Sequence, residues 1–294
     1  MKNKIMSLLA GVAFFGATAN ADIVLAEGLS AYGYIDLVAV DTDEAGIAGD
    51  RTSDLNEYEL GLSFSPAESQ WSAVAELSYT EGGDSAFETV AVTYQHSDAL
   101  SVHIGNLYTF QGLESDDAPD NDFLSYAGAD GEDLYGANYA EGIAVTYSVG
   151  DINLAAWSQA DSDPIKQYAA SYSGIENLTL GVAVIDYNDS TDSTNIHAVY
   201  ELGDFTISAE NVDSDNAAKI LDVTSVAVAY NMGDTTIAVR TADGDYNGND
   251  YESTSIAAFH ALSDNVSAGI EYREEENEGQ ADVSGWGVEL LYVF

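Results

Sequence analysis

The sequence predicts an all-β fold, a closed antiparallel up-and-down transmembrane β-barrel of about 16 strands. Three observations predict it. Apolar and polar residues alternate with period two along most of the chain, and the extended segments are joined by alternately long and short connections. After the first 21 residues, no stretch contains the 18 or so consecutive apolar residues of a transmembrane helix.

The segment that begins at Trp71 illustrates the period-two alternation. Its apolar residues fall on every second position, with Val74 as the one exception: Trp71, Ala73, Ala75, Leu77 and Tyr79. The same pattern occurs at 58–64 and 266–273. Because successive side chains of a strand point to opposite faces, such a segment buries only one face in an apolar environment.

Sixteen extended segments follow from this pattern. We predict them at 29–40, 55–64, 71–80, 87–95, 100–108, 139–149, 152–159, 168–173, 178–185, 195–201, 205–211, 220–230, 235–241, 253–260, 266–273 and 284–294. Eight longer, acidic connections alternate with seven short turns. In hydrocarbon every backbone donor and acceptor must be paired within the protein, so a spanning sheet has to close on itself. An even strand number places both termini on the side of the short turns.

The start of the chain has the pattern of an export signal. Lys2 and Lys4 precede an apolar run at 5–17, and small residues at Ala19 and Ala21 form a cleavage site. We therefore expect residues 1–21 to be a signal peptide that is cleaved, and 22–294 to form the barrel.

Composition excludes several functions. The chain carries 51 acidic and 7 basic side chains, a net charge of −44, so a nucleic-acid backbone would be repelled. It contains no cysteine, which excludes disulfides and thiolate metal sites. Aromatic residues make up 11% of the chain, a content typical of folded proteins rather than disordered ones.

Charged residues within the predicted strands fall on the less apolar face. An ionised side chain that faces lipid near the midplane costs roughly 2 to 4 kcal/mol for Arg or Lys and less for Asp or Glu. We therefore expect these residues to line a water-filled lumen. The predicted lumen wall consists of Asp36, Glu57, Glu59, Glu76, Glu210, Arg240, Glu271, Arg273 and Glu289.

Both ends of the chain contain short motifs that resemble a known family. Tyr292-Val293-Phe294 resembles the terminal signature of bacterial outer-membrane barrels, in which the aromatic positions, here Tyr292 and Phe294, form the assembly signal. The segment 29–36 resembles the first strand of Gram-negative porins, and 105–114 is similar to a stretch in the OmpL-like β-barrel porin family. The resemblance implies outer-membrane lipid and the barrel assembly machinery as partners, and a homotrimer.

A barrel of about sixteen strands is too wide for side chains to fill, so it holds an aqueous channel. The longest connection, 109–138, follows the fifth strand, from which porins fold a loop inward; that inward folding is implied by the resemblance. The loop contains eight acids and no Lys or Arg: Glu114, Asp116, Asp117, Asp120, Asp122, Asp130, Glu132 and Asp133. The resemblance also implies an arginine cluster opposite the loop, but only Arg240 and Arg273 lie on predicted lumen positions. We expect a constriction that favours small cations.

Other interpretations remain open. The 109–138 loop is alternatively a solvated extracellular loop, and the whole chain is alternatively a soluble secreted acidic β-sandwich, a surface or adhesive protein whose strand faces pack against each other. An enzyme built into the barrel would use one of His96, His103, His197 or His260, although none has a motif spacing to a nucleophile or an acid.

No cofactor or metal site is expected. The segment 243–248 has the opening spacing of an EF-hand loop, but the twelfth position is Thr254 instead of glutamate. Turn chemistry from Asp, Asn and Gly is the favoured explanation of the segment. The sequence therefore predicts a channel without enzymatic activity.

Overall fold

The computed structural model describes residues 23–44, 50–80, 86–108, 110, 112–113, 122–125, 127–128, 134, 140–187, 191–216 and 220–294. The strands in these ranges are β1 (Ile23–Ala26), β2 (Leu29–Glu44), β3 (Asp50–Phe64), β4 (Trp71–Thr80), β5 (Ala86–Ser97), β6 (Leu100–Leu107), β7 (Ala140–Val149), β8 (Ile152–Gln159), β9 (Lys166–Ile175), β10 (Leu178–Asp186), β11 (Asp192–Leu202), β12 (Phe205–Ser214), β13 (Leu221–Met232), β14 (Thr235–Tyr246), β15 (Asn249–Ser263), β16 (Val266–Asn277) and β17 (Val283–Val293). In these ranges, no helix is long and apolar enough to cross a membrane.

Strands β2 to β17 form a closed ring. Each strand pairs antiparallel with the next strand in the chain, and β17 pairs with β2 from Val293↔Tyr34 to Val283↔Glu44. The predicted fold class, an antiparallel 16-strand barrel, is confirmed. Closure removes both free edges of the sheet, so the backbone hydrogen bonds are satisfied within the chain.

A short strand that the sequence analysis missed, β1, extends the line of β17. It pairs with β2 at Ile23↔Ala31, next to the point where the chain ends. Phe294 and Gly33 exchange two backbone hydrogen bonds of 2.9 Å, so the last residue is bonded to the first long strand. β1 has only four residues, all exposed, and therefore carries no alternation that a period-two analysis can detect.

The outer face of the ring is apolar and exposed. Leu60, Ile104, Ile196 and Ile256 are each about half exposed or more, whereas their neighbours on the other face are polar or small. Aromatic pairs lie towards the strand ends, such as Trp71 with Tyr94 and Tyr272 with Trp286. This is the surface of a membrane barrel, with an apolar band between aromatic girdles. A β-sandwich would bury these side chains between two sheets, so that interpretation is not supported.

Several strands run beyond their predicted ends into segments that the sequence analysis assigned to loops. β14 continues to Tyr246 and β15 begins at Asn249, so the EF-hand-like segment is a strand end and a two-residue turn. Asn247 and Gly248 both have positive φ angles, 54° and 80°, as in a type I′ hairpin. The apolar alternation ends where the membrane ends, but the hydrogen-bonded ladder continues into water, which is why the pattern underestimated strand length.

Candidate functional site

The nine predicted lumen-wall residues all lie on the inward face of the ring. Six of them are buried, Asp36, Glu59, Glu210, Arg240, Glu271 and Glu289, and the others, Glu57, Glu76 and Arg273, are partly buried. From the sequence alone we expect them to face open water. They are more covered than expected because neighbouring side chains and an inward loop pack against them.

Acidic residues concentrate on one arc of the lumen, formed by β17, β2, β3 and β4. Asp36 is directly opposite Glu57 across the β2–β3 ladder, and Glu289 on β17 interacts electrostatically with Asp36 and Glu271. Hydroxyl groups hold two of the acids in place: Ser78 donates to Glu57 over 2.7 Å, and Tyr32 donates to Glu76 over 2.5 Å. This acidic arc, defined as Asp36, Glu57, Glu59, Glu76 and Glu289, gives one side of the lumen a negative potential.

The connection between β6 and β7 crosses the lumen. In a ring of sixteen strands, β6 and β14 are eight strands apart and therefore lie on opposite sides. Residues 122–128 of this connection, as far as they are described, nevertheless contact side chains of β14, β15 and β16. The ring of Phe123, for example, lies 4.4 Å from the guanidinium carbon of Arg240.

Strands β14, β15 and β16 form the far wall, that is, the part of the barrel wall that residues 122–128 contact. Polar side chains of this far wall bind the backbone of the loop. Glu271 accepts hydrogen bonds from the N–H groups of Leu124 at 2.5 Å and Ser125 at 3.1 Å, and from the Ser125 hydroxyl. Arg240 donates to the carbonyl of Ser125 at 2.7 Å and to its hydroxyl at 3.1 Å. The loop backbone at 124–125 is thus held between a carboxylate and a guanidinium.

Two further far-wall residues hold the next part of the loop. Arg273 donates to the carbonyl of Gly128 at 2.6 Å and to the hydroxyl of Tyr251 at 2.9 Å. Tyr251 in turn donates to the carbonyl of Ala127 at 2.7 Å. The carboxylate of Glu275 also forms a salt bridge with the guanidinium of Arg273, at 2.8 Å.

Apolar packing reinforces these polar contacts. Ala127 and Leu134 are buried in a cluster with inward-facing residues of β12 to β15, namely Val212, Leu221, Val223, Ala242, Tyr246 and Tyr251. Apolar side chains on the inner wall of a water-filled barrel would be exposed to water, which is unfavourable. The loop residues Ala127 and Leu134 pack on them, shield them from water and fill this side of the lumen.

The loop leaves β6 along the near wall. Phe110 packs against inward residues of β4 to β8, including Val74, the residue that breaks the alternation of its strand, and Trp157. The N–H of Phe110 donates to Gln167 on β9 at 2.8 Å, and the N–H of Leu113 donates to Glu210 on β12 at 3.2 Å. The described contacts of the connection thus run from β4–β8 at Phe110, through β9 and β12, to β14–β16 at residues 122–128.

Of the eight predicted loop acids, Asp122 lies in the described part of the chain, where it is partly buried beside Phe123. The others lie outside the described residues: Glu114, Asp116, Asp117, Asp120, Asp130, Glu132 and Asp133.

The sequence analysis missed Gln167, Tyr251 and Glu275 as site residues. All three lie on the inward-facing positions of their strands, so extending the period-two alternation beyond the predicted strand ends would have identified them. The lumen-wall prediction considered only charged residues within the predicted strands.

His103 and His197, two of the four histidines, contact neutral polar groups. His103 contacts the hydroxyls of Thr93 at 2.8 Å and Ser101 at 3.1 Å, and His197 contacts the amide oxygen of Asn195 at 2.7 Å. Within the described ranges, no group of three or more His, Asp or Glu side chains is arranged to hold a metal ion.

A sixteen-strand barrel with an apolar outer face and a loop folded into its lumen has the architecture of an outer-membrane porin. The family model described as Gram-negative porin matches residues 7–280. The chain belongs to the Gram-negative porin family and is an outer-membrane protein.

Solved porin structures share the fold at low sequence identity. The anion-selective porin from Comamonas acidovorans matches with a TM-score of 0.70 and 15% identity, over 90% of this chain and 99% of that one. A mutant of the Rh. blastica porin matches with a TM-score of 0.65 and 19% identity, over 90% of this chain and 100% of that one. The outer-membrane expressed OmpT of Vibrio cholerae matches with a TM-score of 0.63 and 11% identity, over 92% and 99%. No curated protein sequence is significantly similar to the chain.

Proposed function

We propose that this porin is a non-enzymatic channel through which small hydrophilic solutes and ions diffuse passively, with a preference for cations. The observation that carries the proposal is the charge of the lumen wall. Seven of the nine predicted lumen-wall residues are acids, and five of those acids form the acidic arc. A water-filled passage beside fixed negative charges concentrates cations and repels anions.

The 109–138 loop is proposed as the constriction. Its described residues contact the wall from β4–β8 at Phe110 to β14–β16 at residues 122–128, and so narrow the passage beside the acidic arc. The loop sequence contains eight acids and no bases, so it adds negative charge to the passage. Both sides of the narrowest part would then have the same sign, which strengthens the preference for cations.

The fold alone does not decide ionic preference. The porin from Comamonas acidovorans is described as anion-selective, yet it shares this barrel. Selectivity in such a fold therefore depends on which charged side chains line the passage. The acidic arc and the loop acids are the residues that favour cations in this chain.

The test of the proposed preference is neutralisation of the acidic arc. Glu57 and Glu76 are its partly buried members, so the double substitution Glu57→Gln and Glu76→Gln removes two charges with little change in volume. We expect the reversal potential in a salt gradient to move towards zero. Glu252→Gln, at an exposed position on the outer face, is the matched control and should leave it unchanged. An unchanged reversal potential in the double variant would refute the assignment.

Membership of the porin family also suggests how the protein is exported and assembled. We propose that residues 1–21 are removed on export, that the barrel assembly machinery recognises Tyr292 and Phe294, and that three copies associate in the membrane. Tyr292 is exposed on the outer face, where a receptor can reach it, and its ring stacks with that of Phe294. Replacing Phe294 by Ala should reduce the amount of heat-modifiable barrel recovered from outer membranes, whereas Phe205→Ala at another outward aromatic should reduce it less.

A further inference from the structure

We infer that Arg240 and Arg273 are positioning residues that fasten the constriction loop to the far wall, and that they do not supply the basic half of a charged constriction. The inference rests on the proposed function, because it concerns what sets the ionic preference of the same passage. It explains how a porin with two lumen arginines retains a negative passage.

Both guanidinium groups donate hydrogen bonds to the loop, and that of Arg273 also donates to neighbouring wall residues. Arg240 is 6% exposed, and its nitrogen binds the carbonyl and hydroxyl of Ser125 while the ring of Phe123 lies 4.4 Å from its guanidinium carbon. The side chain of Arg273 is 13% exposed and donates to Gly128, Tyr251 and Glu275. A guanidinium that attracts passing anions has to present its N–H groups to the passage, and these two present them to protein atoms.

The charges of this anchor cancel locally. Two arginines, Arg240 and Arg273, lie with two glutamates, Glu271 and Glu275, on β14 and β16. Glu271 binds the same Ser125 that Arg240 binds, and Glu275 pairs with Arg273 at 2.8 Å. The anchor therefore adds almost no net charge to the passage.

Three of the four anchor residues, Arg240, Arg273 and Glu271, contact Ser125. Its N–H and hydroxyl bind Glu271, its carbonyl accepts from Arg240, and its hydroxyl lies 3.4 Å from a nitrogen of Arg273. The planar guanidinium can bind several acceptors in fixed directions, which a lysine ammonium does not reproduce. Replacement of arginine by lysine thus keeps the charge and removes the anchor geometry.

Gly287 offers an independent way to lock the loop. It lies on the inward face of β17, and a Cβ atom built on it would be 3.1 Å from Cδ1 of Leu124 and 4.0 Å from its Cβ. Disulfides join residues whose Cβ atoms are about 3.5 to 4.5 Å apart. Since the chain has no cysteine, the pair Leu124→Cys and Gly287→Cys introduces a single possible disulfide.

The experiment compares three proteins in planar bilayers: the parent, Arg240→Lys with Arg273→Lys, and the same lysine pair with the cysteine pair added. We expect the lysine variant to occupy larger or fluctuating conductance levels about tenfold more often, because each lost charge-assisted hydrogen bond is sufficient for such a factor. The sign of its reversal potential should not change. In oxidised protein the cysteine pair should restore the steady parental level, and a reducing agent should release it again.

The outcomes separate this inference from the proposed function. Steady, parent-like recordings of the lysine variant overturn the anchor role, as does failure of the disulfide to form in folded, heat-modifiable protein. Replacing both arginines by glutamine removes their charge and so distinguishes a role in loop anchoring from a role in ion selectivity. A strong shift of the reversal potential towards cation preference, at unchanged and steady conductance, would assign them to selectivity and overturn the inference. An anion-preferring parent would refute the proposed function instead, whatever the loop does.

Discussion

Glu271 shows how one buried side chain determines where the loop lies. It is 3% exposed and accepts hydrogen bonds from two backbone N–H groups and one hydroxyl of the loop. Backbone N–H groups without an acceptor are costly when buried, about 1 to 3 kcal/mol each. A carboxylate that satisfies two of them at once therefore gives the loop a strong preference for this position.

Substitution of Glu271 by Ala should loosen the loop without unfolding the barrel. The ladder hydrogen bonds of β16 involve the backbone and remain, whereas Leu124 and Ser125 lose their acceptor. Single-channel recordings should show higher mean conductance and more frequent fluctuations. Glu252→Ala, which removes an exposed acid from the outer face of β15, is the control; recordings of the two variants that match each other would count against the role of Glu271.

Single strands show what the sequence predicts well. The period-two pattern places outward and inward side chains correctly wherever a strand crosses the lipid, because lipid requires one apolar face. It fails for β1, which is too short to alternate, and for the outer ends of β14 and β15, where the outward residues meet water and the inward Tyr246 and Tyr251 pack under the loop. The contacts of the loop were unpredictable for a different reason: Ser125 and Arg240 are 115 positions apart, and only barrel closure brings them together.

The lipid-facing side of a strand should tolerate charge according to depth. Ile196 and Leu202 are both exposed on the outer face of β11, the first midway along the strand and the second at its end. Lysine near the midplane costs roughly 2 to 4 kcal/mol and near the interface roughly 0 to 1. In denaturant titrations of protein folded in bilayers, Ile196→Lys should lower the free energy of unfolding by clearly more than Leu202→Lys. Equal losses would contradict the membrane placement of β11.

The β14–β15 turn gives a test of local backbone geometry. Gly248 has φ of 80°, and no atom lies within 4 Å of a Cβ built on it. Gly248→Val therefore adds left-handed strain without a clash, a cost of roughly 1 to 2 kcal/mol. Gly248→Asn should lose less, because asparagine tolerates this conformation better. Thermal unfolding, followed by heat-modifiable gel mobility, should rank glycine above asparagine and asparagine above valine.

At the scale of the whole molecule, the chain combines a net charge of −44 with a barrel whose outer surface is apolar. Closure of β17 on β2 separates the two environments, so the charges lie in the lumen or beyond the membrane. Composition alone predicted the excess of acids, but not its arrangement. That required the ring, which places the acidic arc on β17 and β2 to β4, next to the neutral loop anchor on β14 to β16.

The most direct test of this account is the reversal potential of the unmodified protein in a planar bilayer with a KCl gradient, measured at low and at high salt. We predict open-channel conductance with a reversal potential that favours K⁺ and weakens as salt rises, because screening shortens from about 8 Å at physiological ionic strength to about 3 Å at 1 M. A preference for Cl⁻, or an absence of channels in bilayers that contain correctly folded protein, would contradict the account.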